Sequence, residues 1–296
     1  MHKKSLFYII LAGVFWGTSS IFVSRLRPYG FSSLQITSAR NIVAALVMLV
    51  YALSTNPKGM KVPLKEIGLF ALSGVAVFAT SVSYFVAMKE TTPATAVVLM
   101  YSAPIFVMIV SVLFMNEKFT KGKLLAVILT FAGCGLVSGI VGGIKLSLSG
   151  FSVGILAGIM YAIYNILAKI VMRRGNNAVI ATTYCFVTAG IMGLLLGNPA
   201  EMAEYISQEP PRILALIVGI GACTGAVPYF LYTLASKKLP ASVASAMSSI
   251  EPMTAALVSF FGLGVAKEPF SIQSGIGIAA IIIAVIILSK SDDEDA

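Results

Sequence analysis

The sequence has little charge. Lys, Arg, Asp and Glu make up 11% of its 296 residues, whereas hydrophobic residues make up 58% and the mean hydropathy is +0.93. A soluble domain contains about 25% charged and about 45–50% apolar residues. Apolar runs long enough to cross a bilayer, about 17–25 residues each, recur along the whole chain and leave no long polar stretch for a second domain. The composition therefore excludes a soluble protein and predicts an all-α, polytopic membrane protein.

Residues that bind metals or act as catalytic acids and bases are scarce. The only histidine is His2, no aspartate precedes Asp292, and Cys134, Cys185 and Cys223 each lie in an apolar run without a CxxC partner. Zinc, haem and iron–sulfur sites are therefore unsupported, and the cysteines are interpreted as packing residues. An intramembrane enzyme needs paired acids, a histidine base or a metal. The sequence thus predicts no enzyme, no catalytic residue, no metal and no cofactor.

A phosphate-binding GxxxxGK[ST] loop is also absent, so nothing indicates an ATP-driven pump. The net charge of +9 would favour anionic partners in a soluble protein. Here the basic residues cluster in short connections between apolar runs, so no nucleic-acid partner is predicted. The acidic tail at 291–296 is interpreted as solvated. The first apolar run, 6–23, is longer than the apolar region of a signal peptide and lacks a cleavage motif, which predicts a first span.

Ten spans can be drawn, at 6–24, 34–53, 66–88, 93–114, 123–141, 150–172, 178–197, 212–236, 240–262 and 271–289. With the N-terminus inside, the inner segments hold thirteen Lys and Arg residues. The outer segments hold six, namely Arg25, Arg27, Lys89, Lys145, Arg212 and Lys267. Basic residues are enriched on the cytoplasmic side. We therefore predict a bacterial plasma-membrane protein with both termini in the cytoplasm.

The two halves of the sequence resemble each other. Leu-Ala-Gly at 11–13 recurs at 156–158, and Tyr-Phe at 84–85 recurs at 229–230, both at an offset of 145 that grows to 151 towards the C-terminus. Each half has an odd number of spans, so the halves insert with opposite orientation. We predict two inverted five-helix repeats, 1–145 and 146–290, followed by the tail. Such repeats place a substrate site near the bilayer midplane, where they meet.

Short motifs recur in a fixed order along both halves. They are Phe-Trp-Gly at 15–17, Ala-Arg at 39–40, Tyr-Ser-Ala-Pro at 101–104, Leu-Pro-Ala-Ser at 239–242 and Ile-Glu-Pro at 250–252, with Glu117 and Glu268 following in each half. In these motifs the chain resembles the EamA-type members of the drug/metabolite transporter superfamily. One departure is the longer spacing from Pro252 to Glu268, 16 positions against 13 from Pro104 to Glu117. The resemblance covers both halves and implies a secondary carrier, often an exporter of amino acids, metabolites or drugs.

Glu251 is the main candidate for binding a proton or a substrate, because it lies near the middle of the ninth span. A charged group at the bilayer centre costs about 2.5–3.5 kcal/mol on insertion scales, so it must be neutralised, paired or hydrated. A glutamate at this depth can carry a proton from one side to the other, or hold a cationic substrate. Alternatively, it binds backbone groups that Pro252 leaves unpaired. Ser248 belongs to a hydroxyl-rich stretch beside it, which indicates either a cavity or close helix packing.

Three aromatic residues, Trp16, Tyr101 and Tyr161, lie at a similar depth. Membrane aromatics usually gather at the interfaces, so this set indicates either a cavity wall suited to aromatic or cationic substrates or plain packing. Asn165 lies nearer the inner end, with Tyr164, Tyr229 and Tyr232. These four residues form an inner vestibule or pack against neighbouring helices, and packing is the favoured interpretation.

Arg40 has three interpretations. It pairs with helix carbonyls, holds a substrate carboxylate, or extends outward to the headgroups. Lys169, near the inner end of the sixth span, is predicted to extend to the membrane surface in this last way.

These features together predict a secondary active transporter. The favoured form is a proton-coupled exporter of a small organic cation or an amphipathic metabolite or drug, working by alternating access. One alternative is an amino-acid exporter, with Arg40 on the substrate carboxylate and Glu251 on its amino group. Another is a passive uniporter of metabolites. The expected partners are a small-molecule substrate, a proton and the lipid bilayer, and the sequence leaves a homodimer open.

Overall fold

The first five spans are helices joined by short connections. The computed structural model describes residues 2–139, 147–263 and 271–291. Span 1 comprises His2–Gly17, Ser19–Leu26 and a 3₁₀ turn at Arg27–Tyr29, span 2 is Ser33–Thr55, span 3 is Leu64–Glu90, span 4 comprises Pro93–Met100 and Ala103–Phe114, and span 5 is Lys121–Val137. Polar side chains begin several of them; Ser32 and Gln35, for example, form a reciprocal capping box at the start of span 2.

The second five spans repeat this pattern. Span 6 is Leu148–Arg173, span 7 is Ala178–Leu196, span 8 comprises Pro210–Ile220, a π-helical segment Gly221–Ala226 and Val227–Ala235, span 9 comprises Ala241–Met247 and Ile250–Phe261, and span 10 is Ile272–Ser291. A short helix that the sequence pattern did not predict, Pro199–Ile206, lies between spans 7 and 8.

Eight of these helices, within the described residues, are long and apolar enough to cross a membrane. Spans 5 and 9 complete the predicted ten. Span 5 is slightly short, at 17 residues, and span 9 is more polar because of its serines and Glu251. The all-α, ten-span fold is confirmed. Helix bounds differ from those predicted mostly by one to four residues, because helix ends depend on caps and turns more than on hydrophobicity.

The packing of the spans follows a pseudo-two-fold symmetry. Span 2 packs against span 7 and span 5 against span 10, which are pairs of equivalent helices from the two halves. Span 3 packs against span 6, and correspondingly span 8 packs against span 1. Span 4 also contacts span 6, as span 9 contacts span 1. Exchanging the halves leaves this set of neighbours unchanged, as two inverted five-helix repeats require.

Spans 4 and 9 are interrupted at equivalent places. The interruptions lie at residues 101–102 and 248–249, just before Pro104 and Pro252. Proline lacks the N–H that would continue the helical hydrogen bonds. Serine hydroxyls bind carbonyls on the N-terminal side of each break: Ser102 donates to Leu99 O at 2.6 Å and Ser248 to Ser245 O at 2.6 Å. Both helix pairs therefore bend near the centre of the bundle.

Glycines allow close approach at the contacts between the halves. A Cβ at Gly17 would lie 2.5 Å from Thr254 Cβ and 2.7 Å from the Glu251 carbonyl oxygen. In the other half, a Cβ at Gly158 would lie 2.8 Å from Leu99 O. The absence of a side chain at these glycines brings spans 1 and 6 against the interrupted spans 9 and 4.

Several predicted features lie outside the described residues. They are the boundary between the repeats at 145 and 146, Lys145, Lys267, Glu268 and the acidic tail from Asp292 onward. The division into two repeats therefore stays a proposal as far as its exact boundary is concerned.

Candidate functional site

Glu251 is held at the interruption of span 9 and contacts the interruption of span 4. The Tyr101 hydroxyl donates to Glu251 Oε2 at 2.8 Å. Tyr101 is 1% exposed, whereas Glu251 is only partly buried. Glu251 lies in the first turn of the helix Ile250–Phe261, where the positive end of the helix dipole favours a carboxylate. The break in each span thus supplies one partner of this bond between the halves.

Tyr161 lies beside this pair. Its ring meets that of Tyr101 edge to face, with 6.4 Å between centroids. Its hydroxyl lies near Ser248 and is buried, with no hydrogen-bond partner among the described residues. Four of the predicted site residues, Glu251, Tyr101, Tyr161 and Ser248, therefore lie together.

Arg40 faces the same region from span 2. Its Nη2 donates to Ser81 Oγ of span 3 at 3.0 Å, and its charge acts on the Glu251 carboxylate. Its Nε is buried without a partner within the described part of the chain. Of the three interpretations, extension to the headgroups is wrong, because the guanidinium binds a side chain inside the bundle.

Trp16 belongs to an aromatic cluster next to this region. Its ring lies 5.1 Å from that of Tyr229 and 5.8 Å from that of Tyr232, between centroids, and Tyr164 contacts both tyrosines at 5.1 and 5.6 Å. Trp16 is 4% exposed, and its Nε1 has no partner among the described groups. Tyr229 links the cluster to the site, because the charges of both Arg40 and Glu251 act on it.

Asn165 lies further towards the inner end and is not brought to Glu251 by any described contact. Its Nδ2 donates to Ser245 Oγ at 3.0 Å, and its Oδ1 is buried without a partner in the described residues. Residues 241–250 of span 9 are all buried. Asn165 therefore packs against the buried first part of span 9.

The prediction that Lys169 extends to the membrane surface is wrong. Lys169 is 6% exposed, and its Nζ donates to the carbonyl oxygens of Ser236 at 3.0 Å and Leu239 at 2.6 Å. The last carbonyls of a helix lack partners within the helix. The end of span 8 and the connection that follows it supply such carbonyls beside Lys169, and these bind the ammonium group inside the protein.

Glu117 has a structural role that sequence reasoning did not predict. Its carboxylate accepts hydrogen bonds from the start of span 9, at Ala241 and Ser242. The sequence did show Glu117 as a motif residue after Pro104. However, no local pattern indicated a partner 124 residues away.

The site combines one acceptor with several donors. Glu251 offers a carboxylate, whereas Arg40 Nε, Trp16 Nε1 and the Tyr161 hydroxyl are buried donors that lack partners among the described residues. Buried polar groups are usually hydrogen-bonded, so a bound molecule with acceptors of its own would satisfy them. The arrangement is suited to a small molecule that carries an apolar or aromatic part, a cationic or donor group, and acceptors.

Comparison with known proteins agrees with this architecture. The EamA-like transporter family matches the chain twice, over residues 3–139 and 148–290. A solved crystal structure superposes with a TM-score of 0.80, covering 99% of this chain and 98% of that one, at 15% sequence identity. At that identity, the likeness supports the fold alone.

Relatives in several microorganisms are named as transporters. An uncharacterized transporter of Archaeoglobus fulgidus is 30% identical over 281 residues, covering 94% of each chain. The uncharacterized transporter YwfM of Bacillus subtilis is 25% identical, with coverage of 96% of this chain and 93% of that one. A probable terminal-alkyne amino-acid exporter of Streptantibioticus cattleyicolor is 23% identical, with coverage of 95% and 93%.

Proposed function

The chain belongs to the EamA-like transporter family and is a multi-pass membrane transporter, and on this premise we propose that it is a proton-coupled exporter of a small organic cation or an amphipathic metabolite. The observation that carries the proposal is the Tyr101–Glu251 hydrogen bond, which joins the two halves at the interruptions of spans 4 and 9. A carboxylate there can bind a proton or a cationic group, and the two compete for it.

The proposed cycle is alternating access. The two five-helix halves, 1–145 and 146–290, rock about the Glu251 site and open it to one side at a time. Proton binding from one side releases a cationic substrate there, and loss of the proton on the other side lets Glu251 bind the next substrate. We place the protein in the plasma membrane, with both termini in the cytoplasm, because of the basic residues in the inner connections.

A second candidate function is amino-acid export. Arg40 lies where its charge acts on Glu251, and its Nε lacks a partner in the described residues. An amino acid would place its carboxylate on Arg40 and its ammonium group on Glu251. One relative is named as an amino-acid exporter, which supports this candidate.

Transport into vesicles with an acidic lumen tests the proposal. Purified protein is reconstituted, and uptake of radiolabelled phenethylamine and phenylalanine is measured with and without the pH gradient. The two probes share an aromatic ring and an amino group, and only phenylalanine has a carboxylate. Gradient-driven uptake of phenethylamine above that of protein-free vesicles supports the cation exporter, whereas uptake of phenylalanine alone supports the amino-acid exporter.

Glu251→Gln is expected to lower gradient-driven uptake at least about tenfold, since hydrogen bonds to charged groups are worth about 1.5–3 kcal/mol and glutamine cannot release a proton. Glu66→Gln, which changes a carboxylate in the first turn of span 3, is the matched control and should leave uptake unchanged. Full gradient-driven uptake by Glu251→Gln would show that Glu251 is not the coupling group. Uptake by the wild type that ignores the gradient would show a uniporter.

A further inference from the structure

Glu117 connects the two halves at the inner end of the bundle, the end that carries the connection between spans 4 and 5. Its Oε1 accepts the backbone N–H of Ala241 at 2.6 Å. Its Oε2 accepts the backbone N–H of Ser242 at 3.3 Å and the Ser242 hydroxyl at 2.6 Å. Ala241 begins the helix Ala241–Met247. Glu117 therefore caps the start of span 9 from the opposite half of the chain.

The connection that carries Glu117 is held in a defined turn. Asn116 has φ of 55°, a left-handed conformation that asparagine tolerates better than most residues. The Glu117 N–H donates to Ser111 O at 3.1 Å, and Arg173 Nη1 of span 6 donates to Met115 O at 2.9 Å. These bonds orient the carboxylate towards span 9 rather than towards the membrane surface.

The inner half of span 9 is closed more tightly than its equivalent in the first half. Every residue from 241 to 250 is buried, and Glu117 is 9% exposed. At the start of span 4, Pro93 is exposed, and Ala94 and Val97 are partly exposed. Towards the outer ends of spans 2 and 3, Arg40 and Ser81 are partly exposed as well. The Glu251 region is thus closed on the inner side by the Glu117 contact and is looser on the outer side.

We propose that Glu117 is a positioning residue that holds the inner end closed by capping span 9, and that release of this cap opens Glu251 to the inner side. A cap within one helix moves with the helix and cannot distinguish two states. A cap that reaches span 9 from the other half has to break when the start of span 9 moves away from Glu117, so its free energy contributes directly to the difference between the closed and open states. The inference rests on the proposed alternating access and identifies its inner gate.

Thiol labelling from the two sides of the membrane tests this role. The chain has three cysteines, Cys134, Cys185 and Cys223, so a variant with all three replaced by alanine is a practical background. Ala168→Cys reports on the inner half, because Ala168 is 4% exposed and lines a small cavity there with Phe70 and Thr182. Ser81→Cys reports on the outer half, beside Arg40. Each reporter is labelled with a membrane-impermeant maleimide in oriented vesicles.

Glu117→Ala is expected to raise inner labelling of Ala168→Cys about tenfold, the order of effect of losing a helix cap, and to lower outer labelling of Ser81→Cys. Glu117→Gln keeps an acceptor oxygen and should lie between wild type and Glu117→Ala. Glu66→Ala is the matched control, because Glu66 also bonds across the inner end, to Arg174 and Asn176, but does not contact span 9. It should leave both reporters unchanged.

A gate changes the labelling of the two reporters in opposite directions, whereas general loosening of the fold raises the labelling of both. If both reporters become more reactive in Glu117→Ala, the residue only stabilises the fold, and the inference is overturned. It is equally overturned if neither reporter changes, or if Glu66→Ala shifts them to the same extent. The labelling needs neither substrate nor a proton gradient. If the proposed proton coupling is wrong, the uptake experiment on protein with Glu117 intact will show it, and the labelling result will not change.

Discussion

A carboxyl group inside a membrane protein depends on its neighbours for stability, and Glu251 has three kinds of neighbour. The Tyr101 hydroxyl donates to it, the Arg40 charge acts on it, and the start of its own helix favours a negative charge. None of them is a close ion pair with Glu251 among the described salt bridges. Within the described residues, the Tyr101 hydroxyl is therefore the direct hydrogen-bond partner of the carboxylate.

At the residue scale, Tyr101→Phe is the most specific change. It removes the hydroxyl that binds Glu251 and keeps the ring that packs on Tyr161. A hydrogen bond to a charged group is worth about 1.5–3 kcal/mol, so gradient-driven uptake of the transported probe should fall about tenfold or more. The measurement is initial uptake into the same vesicles with an acidic lumen.

Tyr184→Phe is the control for this prediction. Tyr184 also donates from a membrane span, to Met60 O at 2.8 Å, but it lies away from Glu251. Uptake by Tyr184→Phe should remain close to that of the wild type. Equal losses in the two variants would contradict a special role for the Tyr101 hydroxyl.

At the scale of elements, the interruptions of spans 4 and 9 matter most. Each break exposes backbone groups and bends the span, and serine hydroxyls bind some of the freed carbonyls. Irregular backbone within a membrane is tolerated where it is buried in protein or lines a cavity. The two breaks meet at the Tyr101–Glu251 bond, so the site lies where both repeats are least regular.

Span 1 packs directly against the second part of span 9, and Gly17→Ala tests that contact. The new Cβ would lie 2.5 Å from Thr254 Cβ and 2.7 Å from Glu251 O, and one of these atoms belongs to the backbone. Overpacking of this kind costs about 1–3 kcal/mol. We expect a lower unfolding temperature in detergent, together with reduced uptake.

Gly68→Ala is the matched control, because a Cβ at Gly68 would meet no atom within 4 Å. Gly68 lies in span 3 and is exposed, and alanine favours a helix more than glycine does. Its unfolding temperature should stay the same or rise slightly. A fall as large as that of Gly17→Ala would mean that glycine substitutions act through the helix itself rather than through the contact with span 9.

At the scale of the whole molecule, the packing of the spans is symmetric between the two halves, but the burial of equivalent segments is not. The pairs of packed spans exchange under the pseudo-two-fold axis. The two equivalent segments at the starts of spans 9 and 4 differ in burial: residues 241–250 are all buried, whereas Pro93 is exposed. Carriers built from inverted repeats open one central site to either side in turn, which is the cycle proposed above for this chain.

The orientation of the whole molecule is the last prediction. Single cysteines are placed in the cysteine-free background at two connections. Gln208→Cys labels the connection between spans 7 and 8, and Lys58→Cys labels the connection between spans 2 and 3. Basic residues favour the cytoplasmic side. Gln208→Cys should therefore react with an impermeant maleimide in intact cells, and Lys58→Cys only after permeabilisation. The reverse pattern would place the termini outside.

The sequence by itself determined the ten spans, the inverted repeat and the depth of Glu251. Each of these depends on how hydrophobicity varies along the chain, because that variation decides which segments insert into the bilayer. Helix length follows from membrane thickness, and five spans per half force opposite insertion.

Only the tertiary structure decided which side chains meet. Tyr101 and Glu251 are 150 positions apart, Glu117 and Ala241 are 124 apart, and Lys169 binds carbonyls about 70 residues away. These pairs depend on how the spans rotate and bend against one another. In a membrane that rotation is set by close packing and hydrogen bonds between helices, and not by hydrophobicity, because lipid tails are as apolar as the side chains.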